Sequence, residues 1–118
     1  MELTLNVLRC PDSAVPEARR ISGGVFRLGR GADCDWVLPD PDRVLSKHHC
    51  AIEFRDGGWL LRDTSVNGTF HNGASTPIGR DGAVPLGDGD RIRLGAYEME
   101  VRVQQVASAP PPLPGLGS

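Results

Sequence analysis

The sequence predicts an all-β domain, and three observations lead to that prediction. Apolar residues alternate with polar ones at a period of two, as at Leu3, Leu5 and Val7, which is the pattern of a half-buried strand. Fifteen glycines and ten prolines separate the short apolar runs, and no apolar stripe of helical period extends over three turns. Short strands at close spacing without intervening helices are typical of antiparallel sandwiches and barrels.

Further strands follow the first along the chain. Residues 25–28 and 36–38 form two short apolar runs, and residues 50–55 and 59–63 flank Asp56-Gly57-Gly58. An Asp-Gly pair between β-rich runs predicts a hairpin, because both central residues of a type I′ turn need positive φ. A last hairpin is predicted at Gly95-Ala96, where apolar residues alternate on both sides: Ile92, Leu94, Met99, Val101 and Val103. The large aromatic residues are expected in the core: Trp36, Phe54 and Trp59.

The 118 residues are expected to form one domain, since the chain is too short for a second of ordinary size. We place this domain at residues 1–106. Residues 107–118 are rich in Pro, Gly and Ser, a composition that indicates a disordered linker or tail. A polyproline docking segment is the alternative interpretation of this tail.

Composition and charge exclude several classes of protein. The formal net charge is −2, from 13 basic and 15 acidic residues, so no overall basic face for nucleic acid is indicated. The three cysteines, Cys10, Cys34 and Cys50, have no CxxC spacing, which favours a reducing compartment over a disulfide scaffold. The sequence shows neither a signal peptide nor an apolar run of about 20 residues. We therefore expect a cytoplasmic protein without cofactor, nucleic-acid partner or membrane insertion.

Three predicted loop segments carry side chains that suit a phosphate group. They are residues 26–31 (FRLGRG), 44–49 (VLSKHH) and 63–70 (DTSVNGTF). A phosphate dianion has three strong acceptor oxygens, so a specific pocket needs several converging donors. Loops at one end of a sandwich can supply them, because the sheets hold the loops rigidly. The spacing alone does not show that the three loops meet.

Gly29-Arg30, Ser46-x-x-His49 and Asn67-Gly68, in this order and at these intervals, resemble the signature of the forkhead-associated (FHA) domain. The resemblance covers residues 3–103. It implies an FHA-like β-sandwich of two antiparallel sheets with about eleven short strands. It also implies a module that binds phosphothreonine peptides, preferring threonine to serine, and that catalyses nothing itself. Its partners would be a Thr-phosphorylated protein and an associated Ser/Thr kinase.

The resemblance assigns five residues to the phosphopeptide. Arg30 would pair with the phosphate, Ser46 would donate its hydroxyl to a phosphate oxygen, and Lys47 would add a second cation. Ser65 would contribute a hydroxyl or backbone contact beside the phosphothreonine, and Asn67 would hydrogen-bond the ligand's main chain.

Three further residues are expected to support this site. The imidazole of His49 would brace the loop that carries Ser46 and would stay away from the ligand. Gly29 and Gly68 would permit backbone geometry or a close approach that a Cβ atom would block.

A finer resemblance concerns residues 35–46 (DWVLPDPDRVLS). This stretch is similar to FHA proteins associated with bacterial type VI secretion, which work with a threonine kinase and a phosphatase. The expected function is therefore phosphothreonine-dependent recruitment in Ser/Thr kinase signalling that regulates type VI secretion. The alternative is a β-sandwich scaffold that binds partners independently of phosphorylation.

The residue types also allow two other kinds of site, a hydrolase triad and a metal site. Ser46, His49 and Asp63 have the residue types of a hydrolase triad, but no G-x-S-x-G nucleophile elbow is present. A metal site would draw on Cys50 and on His48, His49 and His71, but adjacent strand residues point to opposite faces. We predict neither a catalytic residue nor a metal ligand. The acidic residues of the segment 33–42 are expected to form a solvated loop: Asp33, Asp35, Asp40 and Asp42.

Overall fold

The computed structural model describes residues 2–104, which form ten β-strands. The predicted domain end at residue 106 and the tail at 107–118 lie outside the described residues. The strands are β1 (Glu2–Arg9), β2 (Ala18–Ile21), β3 (Val25–Gly29), β4 (Trp36–Val37), β5 (Cys50–Arg55), β6 (Gly58–Asp63), β7 (Thr69–His71), β8 (Ala83–Leu86), β9 (Arg91–Leu94) and β10 (Tyr97–Gln104).

The strands form two five-stranded sheets, in the orders β2-β1-β10-β9-β7 and β4-β3-β5-β6-β8. The all-β sandwich is therefore confirmed, with ten strands where about eleven were expected. One pairing differs from the predicted antiparallel sheets. Strands β3 and β4 run parallel, with Leu28 opposite Trp36 and Gly29 opposite Val37.

Both predicted hairpins are present. Strands β5 and β6 meet at a two-residue turn in which Asp56 has φ 53° and Gly57 has φ 78°, as a type I′ turn requires. Strands β9 and β10 meet with Leu94 opposite Tyr97. In that second turn Gly95 has φ 54°.

Three strands were not predicted, and they lie at or near sheet edges. Strand β2 has the sequence ARRI, strand β7 has only three residues, and strand β8 contains Pro85. All three are edge strands in the sheet orders. An edge strand is paired on one side only, so proline and exposed charge are tolerated there and the alternation is weak.

The core lies between the two sheets, and the inward residues of both contribute to it. Trp36 and Trp59 are buried, and the ring of Phe54 packs on Trp59 with centroids 4.9 Å apart, which confirms the prediction for the three aromatic residues. The fully buried side chains include Leu3, Leu5, Leu28, Ile52, Leu61, Ile92, Leu94, Met99 and Val101. Within the described part of the chain there is no helix long and apolar enough to cross a membrane.

The antiparallel pairing places several loops at one end of the sandwich. Cys50 at the start of β5 lies opposite Leu28 near the end of β3, and also opposite Asp63 at the end of β6. The β3–β4 loop (30–35), the β4–β5 loop (38–49) and the β6–β7 loop (64–68) therefore leave the sheets at the same end.

Candidate functional site

The β3–β4 loop runs alongside the β4–β5 loop and is hydrogen-bonded to it. The Arg30 N–H donates to the Ser46 carbonyl and the Gly31 N–H donates to the Lys47 carbonyl, each at 3.0 Å. The His49 N–H donates to the Leu28 carbonyl at 2.8 Å. These bonds bring two of the three predicted loop segments together at residues 30 and 46–47.

Gly29 and Gly68 occupy positions where a side chain would not fit. A Cβ atom on Gly29 would overlap the Lys47 carbonyl oxygen, so the close approach of the two loops depends on glycine. Gly68 has φ 105°, and a Cβ atom there would lie 2.9 Å from the Cβ of Pro77. At Gly29 the constraint is steric, whereas Gly68 also needs the left-handed backbone region.

His49 connects the β4–β5 loop to the β6–β7 loop from inside the protein. Its ring is completely buried. Its Nδ1 accepts the Ser46 N–H at 3.1 Å, and its Nε2 lies 2.9 Å from the Gly68 carbonyl oxygen. Because Nδ1 is an acceptor and the carbonyl can only accept, the ring is neutral with its proton on Nε2. Burial lowers the pKa of His49, although the bond to Gly68 opposes that shift.

We expect the stability contributed by neutral His49 to fall in mildly acidic solution. The unfolded side chain has a pKa of about 6.5, and the folded pKa is lower, so the unfolded state binds more protons between the two values. The free energy of unfolding should therefore be fully retained above about pH 6.5 and decrease as the pH falls through the folded pKa. Denaturant unfolding of wild type and His49→Gln between pH 5 and 8 measures this dependence. Equal pH dependence in the two proteins would contradict the expectation.

The β6–β7 loop is joined to the β4–β5 loop by two side chains. The Val66 N–H donates to the Ser46 hydroxyl oxygen at 3.0 Å, and the Ser46 O–H donates to no group within residues 2–104. The Asn67 side-chain amide donates to the Val44 carbonyl at 2.8 Å. Asn67 is exposed, and its Oδ1 has no hydrogen-bond partner within residues 2–104. All three predicted loop segments thus meet at Ser46.

Two cationic side chains belong to the segments that meet at Ser46, those of Arg30 and Lys47. The Arg30 Nε donates to the Leu45 carbonyl at 3.1 Å, which orients the guanidinium. Its two terminal nitrogens have no hydrogen-bond or ion-pair partner among the residues that the structure describes. The Lys47 side chain is exposed, and it lines a shallow surface depression together with Arg30 and His48. The site therefore offers cationic donors and a free hydroxyl to an anion.

The buried carboxylate of Asp63 holds the β6–β7 loop through hydrogen bonds. It is 1% exposed and accepts five hydrogen bonds, from the backbone and side chain of both Ser65 and Thr69 and from the Gly79 N–H. Burial alone would raise the pKa of this carboxyl, but the hydrogen bonds from Ser65 and Thr69 outweigh burial and lower it. The loop is therefore built around a buried, ionised carboxylate.

The geometry narrows the predicted role of Ser65. Its hydroxyl donates to Asp63 Oδ1 at 2.5 Å and accepts the Gly68 N–H at 2.8 Å, and the residue is 4% exposed. Both functions of the hydroxyl are used inside the protein. The hydroxyl of Ser65 is therefore committed to Asp63 and Gly68, and a backbone contact of Ser65 with the phosphopeptide stays a prediction.

Two residues of this loop were missed by the sequence interpretation. Val66 is 76% exposed and lies directly beside Ser46 through its N–H, so its side chain faces solvent at the site. Asp63 was considered only as a triad member. A signal for its real role was available, because an Asp side chain at the end of a strand commonly accepts the backbone N–H two residues on, as in an Asx turn.

Neither the hydrolase triad nor a metal site shared by the three histidines is formed by the residues considered for them. Ser46 presents its backbone N–H to His49, and the Asp63 oxygens bind Ser65, Thr69 and Gly79, so no hydrogen-bonded triad is formed. The three histidines have separate partners: His48 pairs with Asp33, His49 with Ser46 and Gly68, and His71 with Asp90.

Asp33, Cys34 and His48 do place three ligand-type atoms within 4.8 Å of one another. The Asp33 carboxylate pairs with the His48 ring at 2.8 Å, and the Cys34 thiol donates to the Lys47 carbonyl at 2.9 Å. Burial raises the pKa of this thiol, which keeps it protonated. These contacts of Asp33 and Cys34 hold the β3–β4 loop against the β4–β5 loop.

Two carboxylates of the acidic segment 33–42 accept hydrogen bonds from the backbone. The Asp35 carboxylate accepts the Arg27 N–H at 2.8 Å, and the Asp40 carboxylate accepts the Leu45 N–H at 2.7 Å. The first bond ties the β3–β4 loop to β3, and the second fixes the chain immediately before Ser46. Asp35 is exposed and Asp40 half-buried, so the expected solvated loop also carries structural hydrogen bonds at these two residues.

Residues 26–95 match the FHA domain family, and the chain belongs to that family. Among curated proteins, it is 31% identical over 94 residues to the serine/threonine-protein kinase RAD53 of Saccharomyces cerevisiae, covering 80% of this chain and 11% of the kinase. It is 37% identical over 76 residues to an FHA domain-containing protein of Arabidopsis thaliana, covering 64% of this chain and 19% of that protein. The chain thus spans less than a fifth of the length of these relatives.

Solved structures show the same fold. An FHA domain from a structural and functional study of phosphothreonine-dependent FHA interactions has a TM-score of 0.71 and 32% identity, over 90% of this chain and all of that one. The FhaA FHA domain, in complex with the intracellular domain of Rv3910, has a TM-score of 0.67 and 34% identity, over 85% of this chain and 99% of that one. An FHA domain of Arabidopsis thaliana has a TM-score of 0.74 and 30% identity, over 92% and 90% of the two chains. The FHA domain is a binding module.

Proposed function

We propose that this domain binds a phosphothreonine peptide at the loop end of the sandwich. The supporting observation is that the cationic side chains of Arg30 and Lys47 line one depression, in segments that backbone hydrogen bonds join at Ser46 and Lys47. A phosphate group suits these two cations and the Ser46 hydroxyl, because hydrogen bonds between charged donors and phosphate oxygens are stronger than hydrogen bonds between neutral groups.

Each residue has a defined part in the proposed complex. The terminal nitrogens of Arg30 and the ammonium group of Lys47 neutralise the phosphate, and the Ser46 O–H donates to one of its oxygens. The free Oδ1 of Asn67 accepts a main-chain N–H of the peptide. His49, Gly29 and Asp63 hold these groups in place without touching the ligand.

Titration calorimetry with one peptide library in three forms tests the proposal: phosphothreonine, phosphoserine and unmodified threonine. We expect binding to the phosphothreonine form, weaker binding to phosphoserine and none to the unmodified form. Equal binding to the phosphorylated and unmodified forms would support the phosphorylation-independent scaffold instead.

We further propose that the phosphorylated partner is the product of a Ser/Thr kinase in the cytoplasm and belongs to a type VI secretion system. The support is the similarity of residues 35–46 to FHA proteins of that system and, for the compartment, the three free cysteines at positions 10, 34 and 50. Affinity purification from bacterial lysate, with and without phosphatase treatment, tests it. Recovery of secretion components that does not depend on phosphorylation, or recovery of none, would contradict it.

A further inference from the structure

A second groove opens beside the phosphate-binding loops. It lies between the β6–β7 loop and the β7–β8 loop (72–82), and its exposed lining includes Val66, Asn67, Pro77 and Arg80. Val66 borders both regions, since its N–H binds the Ser46 hydroxyl while its side chain lines the groove. A peptide whose phosphate reaches Ser46 therefore passes next to this groove.

Arg80 is the exposed charged side chain of the groove. The Arg80 side chain is exposed and forms no ion pair with any residue in the range 2–104. The carboxylate that also borders the groove is Asp63, but it is 1% exposed and its oxygens already accept five hydrogen bonds. The guanidinium thus faces solvent as a free positive charge.

The backbone that carries Arg80 is fixed relative to the phosphate-binding loops. The Gly79 N–H donates to Asp63 Oδ2 at 3.2 Å, and the Asp81 N–H donates to the Asp63 carbonyl at 2.6 Å. The Ile78 N–H donates to the Thr69 carbonyl at 2.9 Å. The same buried aspartate therefore anchors both walls of the groove.

A second depression also borders Asn67, and residues of both charges line it. Its lining includes the acidic residues Asp40 and Asp42 as well as Arg93. The Arg93 guanidinium is held over the Phe70 ring at 4.3 Å. The mixed charge of this depression does not favour one class of ligand. The groove that contains Arg80 favours an anionic ligand.

We propose that the Arg80 groove is a second anionic subsite, which binds an acidic group of the same peptide beside the phosphothreonine. The group is a carboxylate of Asp or Glu or a second phosphate, because a guanidinium binds either through paired N–H donors. This proposal rests on the proposed function. The apolar surfaces of Val66 and Pro77 are available to the aliphatic part of the acidic residue.

Fluorescence anisotropy with labelled phosphothreonine peptides tests the subsite. The peptides carry neutral flanks, a single Glu at each flanking position in turn, or a single phosphoserine at the same positions. With wild type, we expect at least one acidic position to improve affinity about three- to tenfold at low salt, which corresponds to about 0.7–1.4 kcal/mol. A larger gain with phosphoserine identifies a second phosphate as the group that fits best, and an equal gain identifies a carboxylate.

The variants Arg80→Gln and Arg55→Gln make the assignment specific. Arg55 is also exposed, but it lies at the β5–β6 turn at the opposite end of the sandwich. Arg80→Gln should lose the gain from the acidic position and keep its affinity for the neutral peptide, while Arg55→Gln should retain both. The same gain in wild type and Arg80→Gln, or no gain at any position, would overturn the subsite and leave phosphothreonine binding intact. Failure of wild type to bind the neutral phosphothreonine peptide would overturn the proposed function itself.

Discussion

Replacing Asp63 by alanine is expected to lower the free energy of unfolding by about 3–5 kcal/mol, because several buried donors lose their acceptor at once. The carboxylate accepts the N–H and the hydroxyl of both Ser65 and Thr69, and also the Gly79 N–H. Urea unfolding followed by the fluorescence of the buried Trp36 and Trp59 measures the loss.

Asp42→Ala is the matched control for Asp63→Ala. Asp42 is exposed and accepts no hydrogen bond from the residues in the described range, so its removal should change the free energy of unfolding by no more than about 0.5 kcal/mol. An Asp63→Ala protein as stable as Asp42→Ala would show that the carboxylate does not hold the loop.

The acid dependence of stability gives a second readout for Asp63. The folded pKa of this carboxyl is lowered, below an unfolded value of about 3.9. Its contribution is therefore present above about pH 3.9 and lost as the pH falls through the folded pKa. Asp63→Asn should lack this part of the acid dependence, and an unchanged acid profile would contradict the assignment.

Replacing Arg30 by alanine is expected to weaken binding of the phosphothreonine peptide about ten- to a hundredfold. The loss of one charged hydrogen-bonding partner is worth about 1.5–3 kcal/mol. The two terminal nitrogens of Arg30 are the donors that would be lost, and titration calorimetry measures the effect. The accompanying loss of the bond from Nε to the Leu45 carbonyl concerns the fold and is followed separately by thermal unfolding.

Two further variants separate charge from geometry at Arg30. Arg30→Lys keeps the charge but not the paired donors, so its affinity should fall between those of wild type and Arg30→Ala. Arg55→Ala removes an exposed arginine at the other end of the sandwich and should bind like wild type. If Arg30→Ala binds the phosphopeptide as tightly as wild type, the phosphate does not lie in this pocket.

The sequence was sufficient for the parts of the fold that local chemistry determines. The Asp56-Gly57 turn was predicted because positive φ favours these residues, and both have it. The alternating residues of β1 and β10 were predicted because one face of each strand is buried. Strand β2 was missed, since its sequence ARRI carries exposed charge on an edge strand and shows no such alternation.

The site could be predicted only in part, because side-chain direction depends on contacts across the loops. The interval between Ser46 and His49 does not show that the ring takes the backbone N–H of Ser46 on one side and faces Gly68 on the other. Likewise, the Ser65 hydroxyl turns inward to Asp63 while the neighbouring Val66 faces solvent. The residue types at the site were predictable, but their division between ligand contact and support was not.

Phosphothreonine binding at the loop end is tested by titrating the ¹⁵N-labelled domain with a phosphothreonine peptide and following the backbone amides by NMR. We expect the largest shifts at residues 30–31, 46–47 and 66–67, and none of them with the unmodified peptide. Shifts confined to a sheet face, or to the opposite end around Asp56 and Asp88, would contradict binding at the loop end. Such a result would place the ligand on a surface that contains neither Arg30 nor Ser46.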